Sequence, residues 1–161
     1  YRKPIFFQKG KDIEFINLGE DFTIIIADSG IRGNTKVAVA GVRERWLNNT
    51  FLFEEYFQKI GNIATHAKIA MENGEQEKLG HLMNENQELL RKIGVSHPSL
   101  ENLIEISMNH GGLGAKLCGG GLGGNIIILT DADKANTISE LLLGNGASQT
   151  IKMTLGKENI E

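Results

Sequence analysis

The sequence has few of the features that mark several large classes of protein. It contains one cysteine, Cys118, which excludes an internal disulfide and fits a reducing compartment. Its longest apolar runs, such as residues 24–27 and 126–129, fall far short of the roughly 20 residues that a membrane helix needs. These absences predict a cytoplasmic protein with no membrane partner.

The sequence also lacks a strong charge of either sign. The formal net charge is -3 and the pI is about 5.8, with lysines and arginines scattered along the chain. Nucleic-acid-binding domains carry a basic run or stripe instead, so we expect no nucleic-acid partner. The four histidines are dispersed, without H-E-x-x-H or paired cysteines, which predicts no metal site in this chain.

No amino-terminal targeting signal is visible, because no apolar stretch follows the opening Tyr1-Arg2-Lys3-Pro4. The chain does not begin with methionine, and we expect it to be processed or to be a piece of a longer protein. Its 161 residues, of which 40% are hydrophobic and 23% charged, suit one globular domain with a real core.

The opening of the chain is rich in strand-like segments. Residues 5–7 and 13–18 are short candidates, and residues 22–27 form a continuous apolar run of the kind that is buried on both faces of a sheet. We expect residues 1–21 to be a strand segment left over from a further, amino-terminal domain. Residues 22–161 should form the main domain.

Four helices are predicted next, over residues 36–46, 52–72, 79–93 and 98–109. Asn34 or Thr35 can cap the first helix, Gly74 and Gly94 can end the second and third, and His97 precedes the proline that starts the fourth. The second helix carries apolar residues three and four positions apart, which predict one buried stripe: Phe53, Tyr56, Phe57, Ile60, Ile63, Ala64, Ala67 and Ala70.

The remainder alternates between strands and a helix. Strands are predicted over residues 115–118, 126–129 and 149–155, with a helix before the last one that Asp131 or Asp133 can cap. From residue 22 the order is strand, helices, strand, strand, helix, strand. This order predicts an α+β fold, a ferredoxin-like split βαβ sandwich with a helical stretch inserted after its first strand.

A glycine-rich loop stands between two of these strands, with glycine at five of the six positions from 119 to 124. The pattern G-x-G-x-x-G is present, but it leads into a strand, whereas the dinucleotide-binding motif leads into a helix. Two readings stay open: a nest of backbone N–H groups for phosphate, or glycines that pass closely beneath another segment. The candidate residues are Cys118, Gly119, Gly120, Gly121, Gly123 and Gly124.

Three other residues are weaker candidates for chemistry. Asp28 ends a buried strand and could hold a ligand or act as a base, although an Asx-turn is the favoured interpretation. Cys118 could be a nucleophile, but no neighbour in the sequence activates it, and a small packed residue is favoured. His97 is more typical of a helix start than of a base.

Residues 116–125, Lys-Leu-Cys-Gly-Gly-Gly-Leu-Gly-Gly-Asn, resemble the third signature of the GHMP kinases, usually Lys-Leu-Thr-Gly-Ala-Gly-Gly-Gly-Gly-Cys. Residues 28–30 and 35–42 resemble the Asp-Thr-Gly…Thr-Lys/Arg-x-x-Val segment of the mevalonate kinases in that superfamily. Residues 84–90, 94–97 and 112–116 are similar to the same enzymes. The chain as a whole therefore resembles the carboxy-terminal half of a mevalonate kinase.

The resemblance implies a function for the parent protein: transfer of the γ-phosphoryl group of Mg-ATP to the 5-hydroxyl of mevalonate, largely by positioning and charge stabilisation. It also implies that the phosphate loop and the catalytic aspartate lie ahead of Tyr1. No catalytic residue is then expected in this chain, which should be inactive alone, with ATP and Mg2+ bound mainly by the missing half.

By the same resemblance, the glycine loop lies near the phosphates and the substrate. A substrate-side loop is expected at Asp28, Ser29, Gly30 and Thr35. Three of the departures from the signature bear on the contacts of the loop. Cys118 replaces a threonine and so loses a hydroxyl, while Leu122 and Asn125 replace a glycine and a cysteine.

Two alternatives stand beside this hypothesis: another GHMP kinase, such as a phosphomevalonate kinase, and a non-catalytic binding module with a ferredoxin-like fold. The kinase-fragment hypothesis predicts that residues 5–7 and 13–18 are exposed or recruited into a homodimer, because exposed edge strands invite pairing. The binding-module hypothesis predicts that the same residues are covered within a monomer.

Overall fold

The computed structural model describes residues 4–156, so residues 1–3 of the predicted front segment and 157–161 of the main domain lie outside the described part. The strands are β1 (Ile5–Phe6), β2 (Glu14–Phe15), β3 (Phe22–Asp28), β4 (Gly112–Cys118), β5 (Asn125–Thr130) and β6 (Gln149–Leu155). The helices are α1 (Thr35–Asn48), α2 (Thr50–Asn73), α3 (Gln76–Lys92), α4 (Pro98–Asn109) and α5 (Ala135–Gly144).

The main sheet has four antiparallel strands in the order β4-β5-β3-β6. The connection from β3 to β4 contains α1 to α4, and the connection from β5 to β6 contains α5. This is the strand order of a split βαβ sandwich with helices inserted after its first strand. The predicted α+β fold is therefore confirmed.

One face of the sheet forms the main core with α4 and α5. Ile25 and Ala27 of β3 are fully buried there, because alternate residues of a strand point to the same face. Further members of this layer come from β4, β5 and the helices and include Ala115, Leu117, Ile126, Ile128, Leu100, Leu103, Ile138 and Leu142.

The opposite face of the sheet is covered only in part. Ile24 and Ile26 of β3 are half-buried, so the expected burial of this strand on both faces is wrong for its central residues. Their partners on β6, Met153 and Ile151, are 43% and 47% exposed. An apolar stripe on β6 therefore faces outward.

A second core cluster holds the front of the chain against α2 and α3. Ile16 and Leu18 are buried in it with Phe22. The strand predicted over residues 13–18 is accordingly shorter: only Glu14–Phe15 pairs, with β1, and the following residues turn into this cluster. The amide of Gly19 then donates to the carbonyl oxygen of Met71 at 2.9 Å, which fastens the segment to the end of α2.

The helix boundaries follow the local signals in the sequence. Asn34 caps α1 by accepting from the amide of Val37, His97 caps α4, and Gly74 ends α2 in the left-handed conformation with φ 73°. One expected cap is wrong. Lys134 is the N-cap of α5, and the carboxylate of Asp131 pairs with the ammonium group of Lys134 at 2.7 Å.

The apolar stripe of α2 is less buried than its spacing predicts. Phe53 and Ala70 are buried, but Phe57 is 38% exposed and Ala64 is also exposed. The packing partners of α2 are mainly α3 and, to a smaller extent, α1. No helix among residues 4–156 is both long and apolar enough to cross a membrane.

Candidate functional site

The glycine loop, residues 119–124, connects β4 to β5 and is held on two sides by backbone hydrogen bonds. The amide of Leu122 donates to the carbonyl oxygen of Val95 at 2.7 Å, and the amide of Gly124 donates to that of Ile31 at 2.7 Å. The amide of Ser29 donates to the carbonyl oxygen of Gly124 at 2.9 Å. The loop therefore lies between the turn before α4 and the segment that joins β3 to α1.

Close packing explains three of the glycines. A Cβ atom would stand 2.7 Å from the hydroxyl oxygen of Thr35 at Gly120, 2.2 Å from the carbonyl oxygen of Val95 at Gly121, and 2.6 Å from that of Ile31 at Gly123. Real Cβ contacts are not this short, and two of these neighbours are backbone atoms that cannot move aside. The expected passage of glycines beneath other segments is thus present at these positions.

Packing does not explain the remaining glycines of the loop. A Cβ atom at Gly119 or Gly124 would meet nothing within 4 Å, although both residues have positive φ, 99° and 82°. The space beside Gly119 is therefore open. Within residues 4–156, the amides of Gly120, Gly121 and Gly123 make no hydrogen bond. Amides of this kind, freed of side chains, are the groups that form anion-binding nests.

The amino-terminal end of α1 lies against this loop. Thr35, its first residue, approaches Gly120, and Asn34 caps the helix by accepting from the amide of Val37. A helix start carries a partial positive charge that favours anions. Arg32 and Lys36, both exposed, flank it and add positive charge. This arrangement fits a phosphate group.

The predicted substrate-side residues come together next to the glycine loop. The carboxylate of Asp28 accepts from the amide of Gly30 at 2.9 Å, which is the Asx-turn that the sequence favoured. Ser29 is buried, and its hydroxyl oxygen accepts from the amide of Ile31 at 3.4 Å. Ser29 and Thr35 contact the loop directly, at Gly124 and Gly120, whereas Gly30 faces Ser148. Contact of these residues with a substrate stays a prediction.

Two of the residues that depart from the usual signature, Leu122 and Cys118, lie in distinct environments. Leu122 has φ 57°, a left-handed conformation that costs a non-glycine residue about 1 kcal/mol. Its half-buried side chain packs against the main core, which offsets that cost. Cys118 is exposed at the end of β4 opposite Asn125, so the favoured interpretation of a packed cysteine is wrong.

Lys116 of β4 is an ionisable residue of this region whose pKa is shifted. Burial lowers the pKa of Lys116, opposed by the nearby Cys118, and its ammonium group donates to the carbonyl oxygen of Leu117 at 2.8 Å. Its β5 partner is Ile127, which places it on the partly covered face of the sheet.

An apolar groove of about 290 Å³ opens beside the glycine loop, between α1 and α2. Its walls are Ala38, Val39, Val42, Trp46, Phe57, Val95 and Gly120, with Arg43 as its one charged residue. The sequence did not single out this groove, because it depends on how α1 and α2 cross.

Sequence reasoning also missed two amide side chains on α3. Asn84 and Gln87 contact the backbone of β4 just before the glycine loop. The resemblance of residues 84–90 to the mevalonate kinases gave these two residues no role, and a polar pair three positions apart is also typical of a solvated helix edge.

Comparison with known proteins shows which protein family the chain is related to. The family described as GHMP kinases C terminal matches residues 67–145. A mevalonate kinase of Pyrococcus abyssi is 31% identical over 139 residues, which cover 83% of this chain and 42% of that protein. A mevalonate kinase of Pyrococcus horikoshii is 32% identical over 149 residues, covering 88% and 43%. The chain spans less than half the length of these relatives.

Solved structures agree with these matches. The mevalonate kinase of L. major in complex with R-mevalonate superposes with a TM-score of 0.86 at 28% identity, covering 94% of this chain and 48% of that one. A Streptococcus pneumoniae phosphomevalonate kinase matches with a TM-score of 0.75 at 18% identity over 88% and 43%, a likeness that shows the fold alone. The chain belongs to the GHMP kinase family and corresponds to the carboxy-terminal region of its mevalonate kinases.

Proposed function

We propose that the chain is the carboxy-terminal half of an ATP-dependent mevalonate kinase of isoprenoid biosynthesis, which converts ATP and mevalonate to 5-phosphomevalonate and ADP. The observation that carries the proposal is the similarity to proteins named mevalonate kinase along most of this chain. The glycine loop supports it. Amides without partners lie there beside the start of α1, which suits the phosphates of a nucleotide.

In this proposal the chain binds and positions, and it supplies no base. Gly119 and the neighbouring amides would face the phosphates of ATP, and Asp28, Ser29 and Thr35 would border the acceptor. Preorganised N–H donors stabilise negative charge that develops on a transferring phosphoryl group. No carboxylate, histidine or cysteine cluster among residues 4–156 can hold a metal ion. We propose, from the family relationship, that Mg2+ is bound mainly by the amino-terminal half, and no step here uses it.

The share of the relatives that the chain covers, 42% and 43%, supports a division of labour. We propose that residues 1–21 continue into an amino-terminal domain and that 22–161 form the carboxy-terminal one. The base and most of the nucleotide site would belong to that first domain. The isolated chain should then show no kinase turnover, and the single cysteine fits the cytoplasm as its compartment.

The test is an assay of the full-length protein with ATP and R-mevalonate, run beside the isolated chain. Turnover by the full-length protein, with none by the chain, is the expected result. Phosphomevalonate serves as a second acceptor. Turnover on phosphomevalonate alone would assign the phosphomevalonate kinase alternative instead. A folded full-length protein that turns over neither acceptor would contradict the kinase assignment and favour the binding module.

We also propose a homodimer that uses the front strands. Phe7 is 66% and Phe15 is 52% exposed at the β1–β2 hairpin, while Ile16 behind them is buried. The front segment is thus neither fully exposed nor fully covered: Ile16 is buried against the domain, whereas Phe7 and Phe15 face outward. Sedimentation of the full-length protein is the test. Phe7→Ser should shift it toward the monomer, and an unchanged dimer would place the interface elsewhere.

A further inference from the structure

The free edge of β4 is paired with side chains of a helix. β4 is an edge strand of the main sheet, so its outward amides have no strand partner. The amide of Ala115 donates to the side-chain oxygen of Asn84 at 3.0 Å, and the amide of Leu117 donates to that of Gln87 at 2.9 Å. Residues three apart on a helix face the same way, and alternate strand amides point the same way, so the two spacings match.

Gln87 is the better-enclosed member of this pair. Its side chain is 1% exposed, and the other end of its amide donates to the carboxylate of Glu101 at 2.9 Å and to the hydroxyl of Ser96 at 3.2 Å. Its orientation follows from its partners, because the carboxylate can only accept and the amide of Leu117 can only donate. Arg91 donates to the other oxygen of Glu101 at 2.8 Å and holds that carboxylate in place.

The contacts of Gln87 connect to both the base and the tip of the glycine loop. Leu117 stands one residue before Cys118, at the base of the loop. Ser96 follows Val95, whose carbonyl oxygen accepts from the amide of Leu122 at the tip of the loop. A single buried amide thus joins the strand that enters the loop to the turn that covers it.

We infer that Gln87 is a positioning residue for phosphoryl transfer: it sets the glycine loop in the place where that loop meets the phosphates, without touching them. The inference rests on the proposed function for its catalytic meaning. Its structural part, that Gln87 holds residues 117–122, stands on this geometry alone. Asn84, which bonds two residues further from the loop, should matter less for the loop.

The sharpest test is Gln87→Glu, which changes one nitrogen to oxygen and keeps the shape. The new carboxylate can still accept from the amide of Leu117 but faces the carboxylate of Glu101 where Gln87 donated. Two carboxylates at this distance cannot both stay ionised without repulsion, and a shared proton at low pH restores the lost bond. The surrounding charged and titratable groups are Arg91 and Glu88 on α3, Glu101 on α4, and His97.

Gln76→Glu is the matched control. Gln76 lies in the first turn of the same helix and donates its side-chain amide to the backbone oxygen of Asp21 at 2.9 Å, away from the glycine loop. Gln87→Met is the second variant. It removes the acceptor for Leu117 with an apolar side chain of similar length and has no proton to titrate.

The first readout needs no activity: hydrogen exchange of residues 116–124 in the chain, relative to wild type at each pH. Gln87→Glu should exchange faster at about pH 8 and approach wild type at about pH 5, while Gln87→Met is faster at both. Gln76→Glu should match wild type in this segment. Equal exchange of wild type and Gln87→Met in residues 116–124 would overturn the inference, whatever the activity of the protein.

The second readout is steady-state kinetics of the full-length protein. Gln87→Glu should lose about tenfold in kcat at pH 8 with little change in the KM for mevalonate, and regain most of it relative to wild type toward pH 5. A pH-independent loss, equal to that of Gln87→Met, would reduce Gln87 to a stabilising residue. Wild type without turnover on mevalonate would instead reject the proposed function, with the exchange result unaffected.

Discussion

The carbonyl oxygen of Val95 lies directly over Gly121. A Cβ atom on Gly121 would stand 2.2 Å from that oxygen, and the same oxygen accepts from the amide of Leu122 at 2.7 Å. The turn before α4 and the glycine loop therefore fit together through backbone atoms on both sides. A contact of this kind tolerates no side chain, whatever the loop binds.

Comparing Gly121→Ala with Gly119→Ala separates the cost of crowding a Cβ atom from the cost of a positive φ in the loop. Both residues have positive φ, 78° and 99°, but only Gly121 is crowded. We expect Gly119→Ala to lower the free energy of unfolding by about 1 kcal/mol, and Gly121→Ala by roughly 1–3 kcal/mol more, because the backbone must shift. Urea unfolding of the two variants measures this difference. Equal losses would mean that the Val95 contact opens without cost.

Gly80 and Gly61 form a second matched pair, both inside helices. A Cβ atom on Gly80 would stand 2.4 Å from the carbonyl oxygen of Leu113, whereas one on Gly61 would meet nothing within 4 Å. Gly61→Ala should raise the free energy of unfolding by about 0.5–1 kcal/mol, since alanine is the better helix former. Gly80→Ala should lower it by about 1–3 kcal/mol, since it separates α3 from β4. Thermal unfolding of both variants measures this difference. If Gly80→Ala were as stable as Gly61→Ala, α3 would not approach β4 as closely as described.

Glu101 gives the folded chain a dependence on acid. Burial raises its pKa, but hydrogen bonds from Arg91, Ser96 and Gln87 outweigh this and hold the pKa of Glu101 below its ordinary value of 4.5. A lowered pKa in the folded state contributes stability above pH 4.5, and that contribution is lost as the pH falls through the folded value.

The matching experiment compares Glu101→Gln with wild type in urea at several pH values. The difference in unfolding free energy should be largest at about pH 6 and shrink as the pH falls through the lowered pKa of Glu101. Glu105→Gln, an exposed position on the same helix, is the control and should show little change. A Glu101→Gln difference that is constant with pH would mean that the ionised form of Glu101 is not the stabilising one.

Cys118 should react in the native protein because its thiol is exposed. We expect a thiol reagent such as DTNB to titrate one cysteine per chain without denaturant, and Cys118→Thr to abolish the reaction with a change of less than about 0.5 kcal/mol in unfolding free energy. In the full-length protein, ATP should slow the reaction, because the thiol borders the proposed phosphate site. Equal rates with and without ATP would place the nucleotide away from this end of β4.

The fold could be predicted because its main signals are local. Asn34, Gly74, Gly94 and Pro98 set helix boundaries through their own backbone preferences, and the strands of the main sheet alternate or run apolar over several residues. The resemblance at residues 116–125 then pointed to the family. The cap of α5 failed as a prediction because Asp131 has a closer partner in the side chain of Lys134.

The surroundings of the glycine loop could not be predicted in the same way. Gln87 and Leu117 are 30 positions apart, and the local sequence around either residue does not predict their hydrogen bond. The exposure of Cys118 likewise depends on where β4 ends relative to the loop. The close approach of Gly121 to the carbonyl oxygen of Val95 likewise joins segments far apart in the sequence. Such contacts exist only after the helices have packed on the sheet.

The two edges of the main sheet are unequal. Asn84 and Gln87 occupy the outward amides of β4, and Gly80 brings α3 too close for a strand to enter. β6 at the other edge has β3 as its only strand partner among residues 4–156, and it presents Ile151 and Met153 beside it. A further strand can therefore pair with the main sheet at the β6 edge but not at the β4 edge. Intermolecular addition of a strand to the main sheet, in crystallisation or in aggregation, should begin at β6.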